Sequence, residues 1–236
     1  MNLAAHIARR TAEYASLPVF RAFAEDRIPL ERFRDFFEEQ AMAARFFQDF
    51  IWAATAIDAP AEVDTPEGRR AAAVAAFARE HRRVDSGHYR WTARDLATMG
   101  LPPLDLDRCF ALGKLDTRIQ LARILACFHD ASAEARLTVL AALESAGAVT
   151  LGTLFAYAER HGLAGELLYL GRAHVHVEER QVGSILEVAA ELFSREDPAL
   201  GALVDTVFDA LSRMFQDGGR RIYGDLVGAP EASHAA

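Results

Sequence analysis

Cysteine is nearly absent from this 236-residue chain: Cys109 and Cys127 are the two present, and they form no C-x-x-C. That excludes a disulfide framework and makes a reducing compartment, the cytoplasm, the expected location. Basic residues are outnumbered as well. The 26 Lys and Arg against 34 Asp and Glu give a net charge of -8 and a pI near 5.5, which argues against a nucleic-acid partner and against an anionic membrane surface. Small molecules or protein partners remain. The opening stretch MNLAAHIARRTAEY lacks an apolar run long enough for a signal peptide, so nothing suggests export. Alternating β-branched runs are missing too, and the intervals between breaks are too irregular for a solenoid repeat.

What is there is helical. The chain is 51% hydrophobic and 25% charged, enough for one substantial core, and its apolar residues recur with 3.6 spacing between Pro, Gly and Asp breaks. The spacing predicts helices over roughly 3–15, 29–57, 66–98, 105–129, 132–160, 163–195 and 198–225, an all-α single bundle of about seven helices. Residues 1–226 form the domain and 227–236 a loose tail.

Three of these helices carry a polar patch in the middle of an apolar stripe. In REHRRVDSGHYRW, residues 79–91, His81, Asp85 and His88 fall at i, i+4 and i+7, within about 60° of one another on one continuous helix. Arg79, Arg82, Arg83, Arg90 and Arg94 mark the wet side, so the histidines and the aspartate point inward. Taken alone, such a pattern is more often a satisfied core histidine than a ligand. In YLGRAHVHVEERQVGSILEVAAEL, His174, Glu178 and Gln181 interrupt the stripe of Leu167, Leu170, Ile185, Val188 and Leu192, while His176 lies opposite and is expected in solvent. A buried polar network explains this patch as readily as a site. Between residues 137 and 158 Glu144 is the only charge. That stretch is long enough to raise a transmembrane helix, but its Gly, Ala, Ser and Thr content favours a central buried helix, in which Glu144 needs a cation.

A fourth stripe, Phe33, Phe36, Gln40, Ala44, Phe47 and Ile51, carries Gln40 at its centre, either bonding a neighbouring helix or standing near a site. Glu38 and Glu39 are off this face and expected in solvent.

Bundle geometry lets mid-helix residues meet at one level of the core. His81, His88, Glu144, His174 and Glu178, with Asp85 and Gln181 as further candidates, then form a ligand set without thiolate that suits Fe, Mn or Zn. Such a set exceeds the three protein ligands common at one catalytic zinc, so two metals fit better.

At these residues the chain resembles the heme-oxygenase-like di-iron oxidases and oxygenases, which share their helical fold with thiaminase II (TenA) and the PQQ-synthesis oxidase. The resemblance spans most of the chain. Its motifs are a Glu followed seven residues on by a His, a lone mid-helix Glu, and H-x-x-x-D/E-x-x-H. His88 matches the first His, Glu144 the lone Glu, and His174 with Glu178 the last motif; His81 stands where the family has Glu and Gln181 where it has the final His. The resemblance implies about two Fe(II) per chain, O2 as co-substrate, an external electron donor, and oxidation of a small amino-acid-derived or amine metabolite by C–H or C–C cleavage or N-oxygenation. A homodimer is admitted.

An oxidant of that kind needs a dry apolar wall, for which the phenylalanines and Trp52 or Trp91 are candidates. A substrate carboxylate would want an inward arginine. Arg123 is the candidate, with a salt bridge to Asp116 or Asp130 as its structural alternative. Two other readings stand beside the oxidase: a metal-free TenA-like hydrolase using Cys127 or Cys109, and a non-catalytic helical protein binding a cofactor or tetrapyrrole, in which His6 could matter.

Overall fold

The 3.6-residue apolar spacing becomes eight α-helices among the described residues: α1 Leu3–Ala15, α2 Pro18–Ala24, α3 Leu30–Thr55, α4 Pro66–Asp85, α5 His88–Thr98, α6 Leu115–Ala126, α7 Ala133–Arg160 and α8 Pro198–Tyr223. This is a computed structural model, describing residues 2–58, 63–103, 105, 107, 110, 115–178, 185 and 197–224. Gln181, Cys109 and the expected tail lie outside the described residues. The fold class is all-α, as the sequence predicts.

Helix starts follow local chemistry. Asn2, Thr65, Ser132 and Asp197 cap α1, α4, α7 and α8, each side chain accepting a backbone N–H from the first turn. Pro66 and Pro198 sit at the first helical position, where the missing N–H removes no helical bond.

α7 is the axis of the domain. It is the one described helix long and apolar enough to cross a membrane, yet Leu137 through Ala146 are all buried by packing against α1, α2, α3, α4 and α8. Burying ordinary apolar side chains on all sides leaves no wet stripe. One end of the core is aromatic: Phe23 meets Phe33, Phe36, Tyr157 and Tyr223 at centroid distances of 5.1–6.1 Å, and the Tyr157 hydroxyl donates to the Ile28 carbonyl.

The structure corrects three sequence expectations. The predicted helix 66–98 is two helices, broken at Ser86 and Gly87, and Gly87 takes the left-handed conformation at φ 106° that non-glycine residues avoid. Residues 18–24, which fall between the predicted helices 3–15 and 29–57, form α2. The predicted helix from 163 begins later: residues 161–171 are turns and 172–178 are helical. Gly171 is required in that turn, since a Cβ would run into the Leu167 carbonyl oxygen.

Candidate metal centre

Six of the seven candidate ligands come together, and the break between α4 and α5 decides how. His81 and Asp85, one helical turn apart near the end of α4, face Glu144 in the middle of α7. His81 Nε2 lies 2.6 Å from Asp85 Oδ2 and 3.0 Å from Glu144 Oε1. His88 does not continue that column. As the first residue of α5 it turns instead toward the 172–178 segment, where its ring meets His174 edge-on at 4.5 Å. His88 Nδ1 stands 3.7 Å from Glu178 Oε1 and 3.9 Å from Asp85 Oδ1, too far for hydrogen bonds.

The result is two adjoining triads, His81/Asp85/Glu144 and His88/His174/Glu178, the potential ligand atoms of each lying within 4.8 Å of one another. Asp85 stands between them, with one oxygen toward each histidine of the 81–88 stretch. The side chains of His81, Asp85, Glu144 and His174 are 1–2% exposed, those of His88 and Glu178 12–13%.

The donor chemistry asks for cations. His174 Nδ1 donates to the Tyr169 carbonyl at 2.7 Å, so in the neutral ring Nε2 carries a lone pair, and it points at Glu178 Oε1 2.7 Å away. Two acceptors face each other. Only a proton or a metal ion between them relieves that contact. At His81 two carboxylates converge on one ring nitrogen. Three carboxylates buried in one site would be costly without positive charge, and mixed imidazole and carboxylate donors fit a first-row divalent ion.

Without metal, protons take the role. Burial pulls the His81 imidazole toward its neutral form, but hydrogen bonds to Asp85 and Glu144, and their charges, outweigh it and carry it up to about 10. Desolvation likewise pushes Glu144 above the usual carboxylate range, with its hydrogen bond to His81 opposing and Glu178 adding repulsion. His88 goes the other way: burial, then the neighbouring His174, holds it below its ordinary value despite Asp85 and Glu178. A neutral His88 is already in the form that binds metal.

Supporting residues surround the triads. Trp91 stacks on His88 at 4.5 Å and meets His174 edge-on at 5.1 Å; Trp52, its alternative, is 54% exposed beneath Arg82. Asp95 and Tyr169 are not among the residues that the sequence pattern points to. Asp95, fully buried, accepts the backbone N–H groups of Leu168, Tyr169 and Leu170 at 2.7–3.1 Å, fixing the turn whose Tyr169 carbonyl orients His174. One signal could have found it: Asp95 lies seven residues after His88, a spacing that puts both on one face of α5.

An apolar cavity opens on the triads. His88, Glu144 and Glu178 form part of its wall, with Phe47, Phe50, Leu143, Leu151, Leu211 and Phe215 among the apolar lining, and its volume is about 80 Å³. Gln40 lines it. Arg123 does not: its side chain is exposed and donates to Gln120 Oε1 at 3.0 Å, because it sits on the outer face of α6 while Leu121 and Ile124 take the inner one. Glu39, expected in solvent, is largely covered and pairs with Arg221 at 3.1 Å. His176 is exposed as expected. His6 is buried against Asp205 at 3.0 Å, between α1 and α8.

No family model and no curated protein matches the chain, but solved structures do. A CADD-like protein of unknown function from Nostoc punctiforme aligns with a TM-score of 0.59 at 14% identity, covering 92% of this chain and 98% of its own. A TenA homologue from P. horikoshii OT3 aligns with a TM-score of 0.55 at 12% identity, covering 94% and 96%. The fold is heme-oxygenase-like. At such identities the likeness speaks to architecture alone, and the chemistry rests on the residues themselves.

Proposed function

We propose that the protein is an O2-dependent oxidase or oxygenase of the heme-oxygenase-like di-iron group, acting on a small metabolite. The observation that carries this reading is the pair of adjoining imidazole and carboxylate triads, joined through Asp85 and opening on an apolar cavity. His81, Asp85 and Glu144 would hold one ion; His88, His174 and Glu178 the other. Iron bound there would supply reduction of O2 and the oxidising power for C–H, C–C or N oxidation. An external electron donor and a soluble small-molecule substrate complete the reading.

The chain's own residues prepare that chemistry. Tyr169 fixes the His174 tautomer through its carbonyl, so that Nε2 offers its lone pair inward. Trp91 holds the His88 ring by stacking. Phe47, Phe50, Leu143 and Leu151 give the cavity an apolar wall, which disfavours water beside a reactive oxidant.

A TenA-like hydrolase would instead need a thiol in the cavity. Cys127 is not among the described residues of its wall; its Sγ donates to the Arg123 carbonyl on α6.

The test is oxygen uptake. Full-length protein loaded anaerobically with Fe(II) should consume O2 on mixing and show a transient visible absorption that a true substrate accelerates. Full iron loading with no uptake across a panel of amines and amino acids would favour a binding protein, and tight zinc with hydrolytic activity would discard the oxidase.

A further inference from the structure

The cavity beside the triads exists because side chains are missing from its wall. α3 packs against α7, and where the two line the cavity they carry Ala43, Ala44, Ala146 and Gly147. Gly147 is the least expected of these. It sits in the middle of α7, where glycine destabilises a helix relative to alanine, and the two usual reasons for tolerating it fail. Its backbone is ordinary helix and is not among the left-handed glycines. Nor does a neighbour crowd it: a Cβ on Gly147 would meet no atom within 4 Å beyond its own helical backbone, whereas at Gly171 the chain leaves no room. What a side chain at position 147 would take up is cavity.

The placing of that space gives it a consequence. Glu144, Gly147 and Thr150 all line the cavity, each about 4.5 Å further along the same face of α7. The cavity therefore runs along α7 from the Glu144 carboxylate of the triads, past Gly147, to Thr150. At that far end Thr150 donates to the Ala146 carbonyl at 3.1 Å, and Tyr14 donates to Thr150 at 2.9 Å. Those hydroxyls leave no donor unmet, so the far end asks for no polar group. A molecule filling the space between Thr150 and Glu144 lies against the bare Gly147 backbone.

We propose that Gly147 sets the size of substrate the centre accepts: the cavity takes an apolar chain lying along α7 against Gly147 with one end at Glu144, and a side chain at 147 shuts it out. That the chain is then oxidised rests on the oxidase reading. The fit rests on the space alone.

The test uses 1-butanol, 1-hexanol and 1-octanol, whose binding to the full chain is measured by calorimetry, metal-free and again after anaerobic Fe(II) loading. In the unaltered protein each added CH2 should tighten binding about fourfold until the cavity is filled. Gly147→Leu should weaken hexanol binding about tenfold or more and Gly147→Ala by less, with melting temperatures at or above that of the unaltered protein, since helix propensity rises and the new side chain enters open space. Gly152→Ala gives α7 the same gain at a position where a Cβ also meets open space but which is not among the described residues of the cavity wall; it should raise the melting temperature and leave hexanol binding as it is. Iron content should be the same in all three variants. Hexanol affinity unchanged in Gly147→Leu, an equal loss in Gly152→Ala, or a melting temperature lowered in Gly147→Ala would overturn the proposal. Failure of the oxidase reading shows separately, as absent iron or absent O2 uptake with hexanol binding intact.

Discussion

Gln48 on α3 accepts the backbone N–H of Gly87 at 3.0 Å, and that bond fixes the turn that sends His81 and His88 into different triads. On an unbroken helix the two histidines would share one column and compete for one ion. The break gives each its own set of neighbours, with Asp85 between.

Gly87→Val should therefore damage the centre from a distance. The left-handed backbone at φ 106° costs a β-branched residue on the order of 1–3 kcal/mol, and relief of that strain would move His88. The expected outcome is a lower melting temperature with loss of metal from the His88 triad first. Gln48→Leu, which strips the Gly87 N–H of its acceptor, should cost roughly 1–3 kcal/mol and show the same order of loss. Calorimetric unfolding and metal analysis of both variants check this.

The two triads predict a divided response to ligand substitution. Alanine at His81 or Glu144 should remove one equivalent of metal, and alanine at His174 or Glu178 the other. Asp85→Ala should weaken both, because its oxygens lie toward His81 and His88. Anaerobic Fe(II) titration of each variant, read as stoichiometry and affinity, tests the division; equal losses everywhere would mean a single site.

Proton linkage gives a prediction for the metal-free protein. His81 is raised from 6.5 to about 10, so its stabilising contribution is complete below the unfolded value and disappears as pH rises through about 10. Glu144, held above the carboxylate range mainly by desolvation, also binds its proton more tightly folded than unfolded, and its contribution falls with rising pH too. The metal-free melting temperature should drop between about pH 7 and 10. Metal loading should flatten or reverse that slope, because the ion replaces those protons, and titrations in buffers of different ionisation enthalpy should detect proton release.

Asp95 carries a fourth prediction. Its carboxylate accepts three backbone N–H groups around Tyr169, so Asp95→Ala leaves three donors in a covered turn without an acceptor. A loss of roughly 3 kcal/mol or more should accompany weaker metal binding at the His174 triad. Gly171→Ala, which forces a Cβ against the Leu167 carbonyl, should disturb the same turn. Chemical denaturation paired with metal content measures both.

That imidazole and carboxylate groups meet in the core was legible in the sequence because burying ionisable groups is costly: His81, Asp85, Glu144 and His174 each interrupt an apolar stripe, and all four are buried. The helix break was hidden, since one glycine inside a strong helical pattern lowers helicity by only about 1 kcal/mol and does not announce a left-handed turn. Residues 161–171 keep apolar spacing while forming turns, so Tyr169 went unnoticed; its role is played by a backbone carbonyl, which no side-chain pattern reports. Asp95 directly follows Arg94 of the wet side, and nothing in the side-chain pattern beyond its spacing from His88 sets it apart. Arg123, a candidate for a substrate carboxylate in the sequence, is exposed, since a residue two places from the buried Leu121 lies well around the helix from it.

Whether one chain holds two ions in adjoining sites is decided by counting metal after anaerobic Fe(II) loading and desalting. About two irons per chain are expected, as in other helical-bundle carboxylate centres, falling to about one in His174→Ala. Iron that washes out completely from the intact protein, or a content unaltered in His81→Ala, Glu144→Ala and His174→Ala alike, would contradict the two-ion centre.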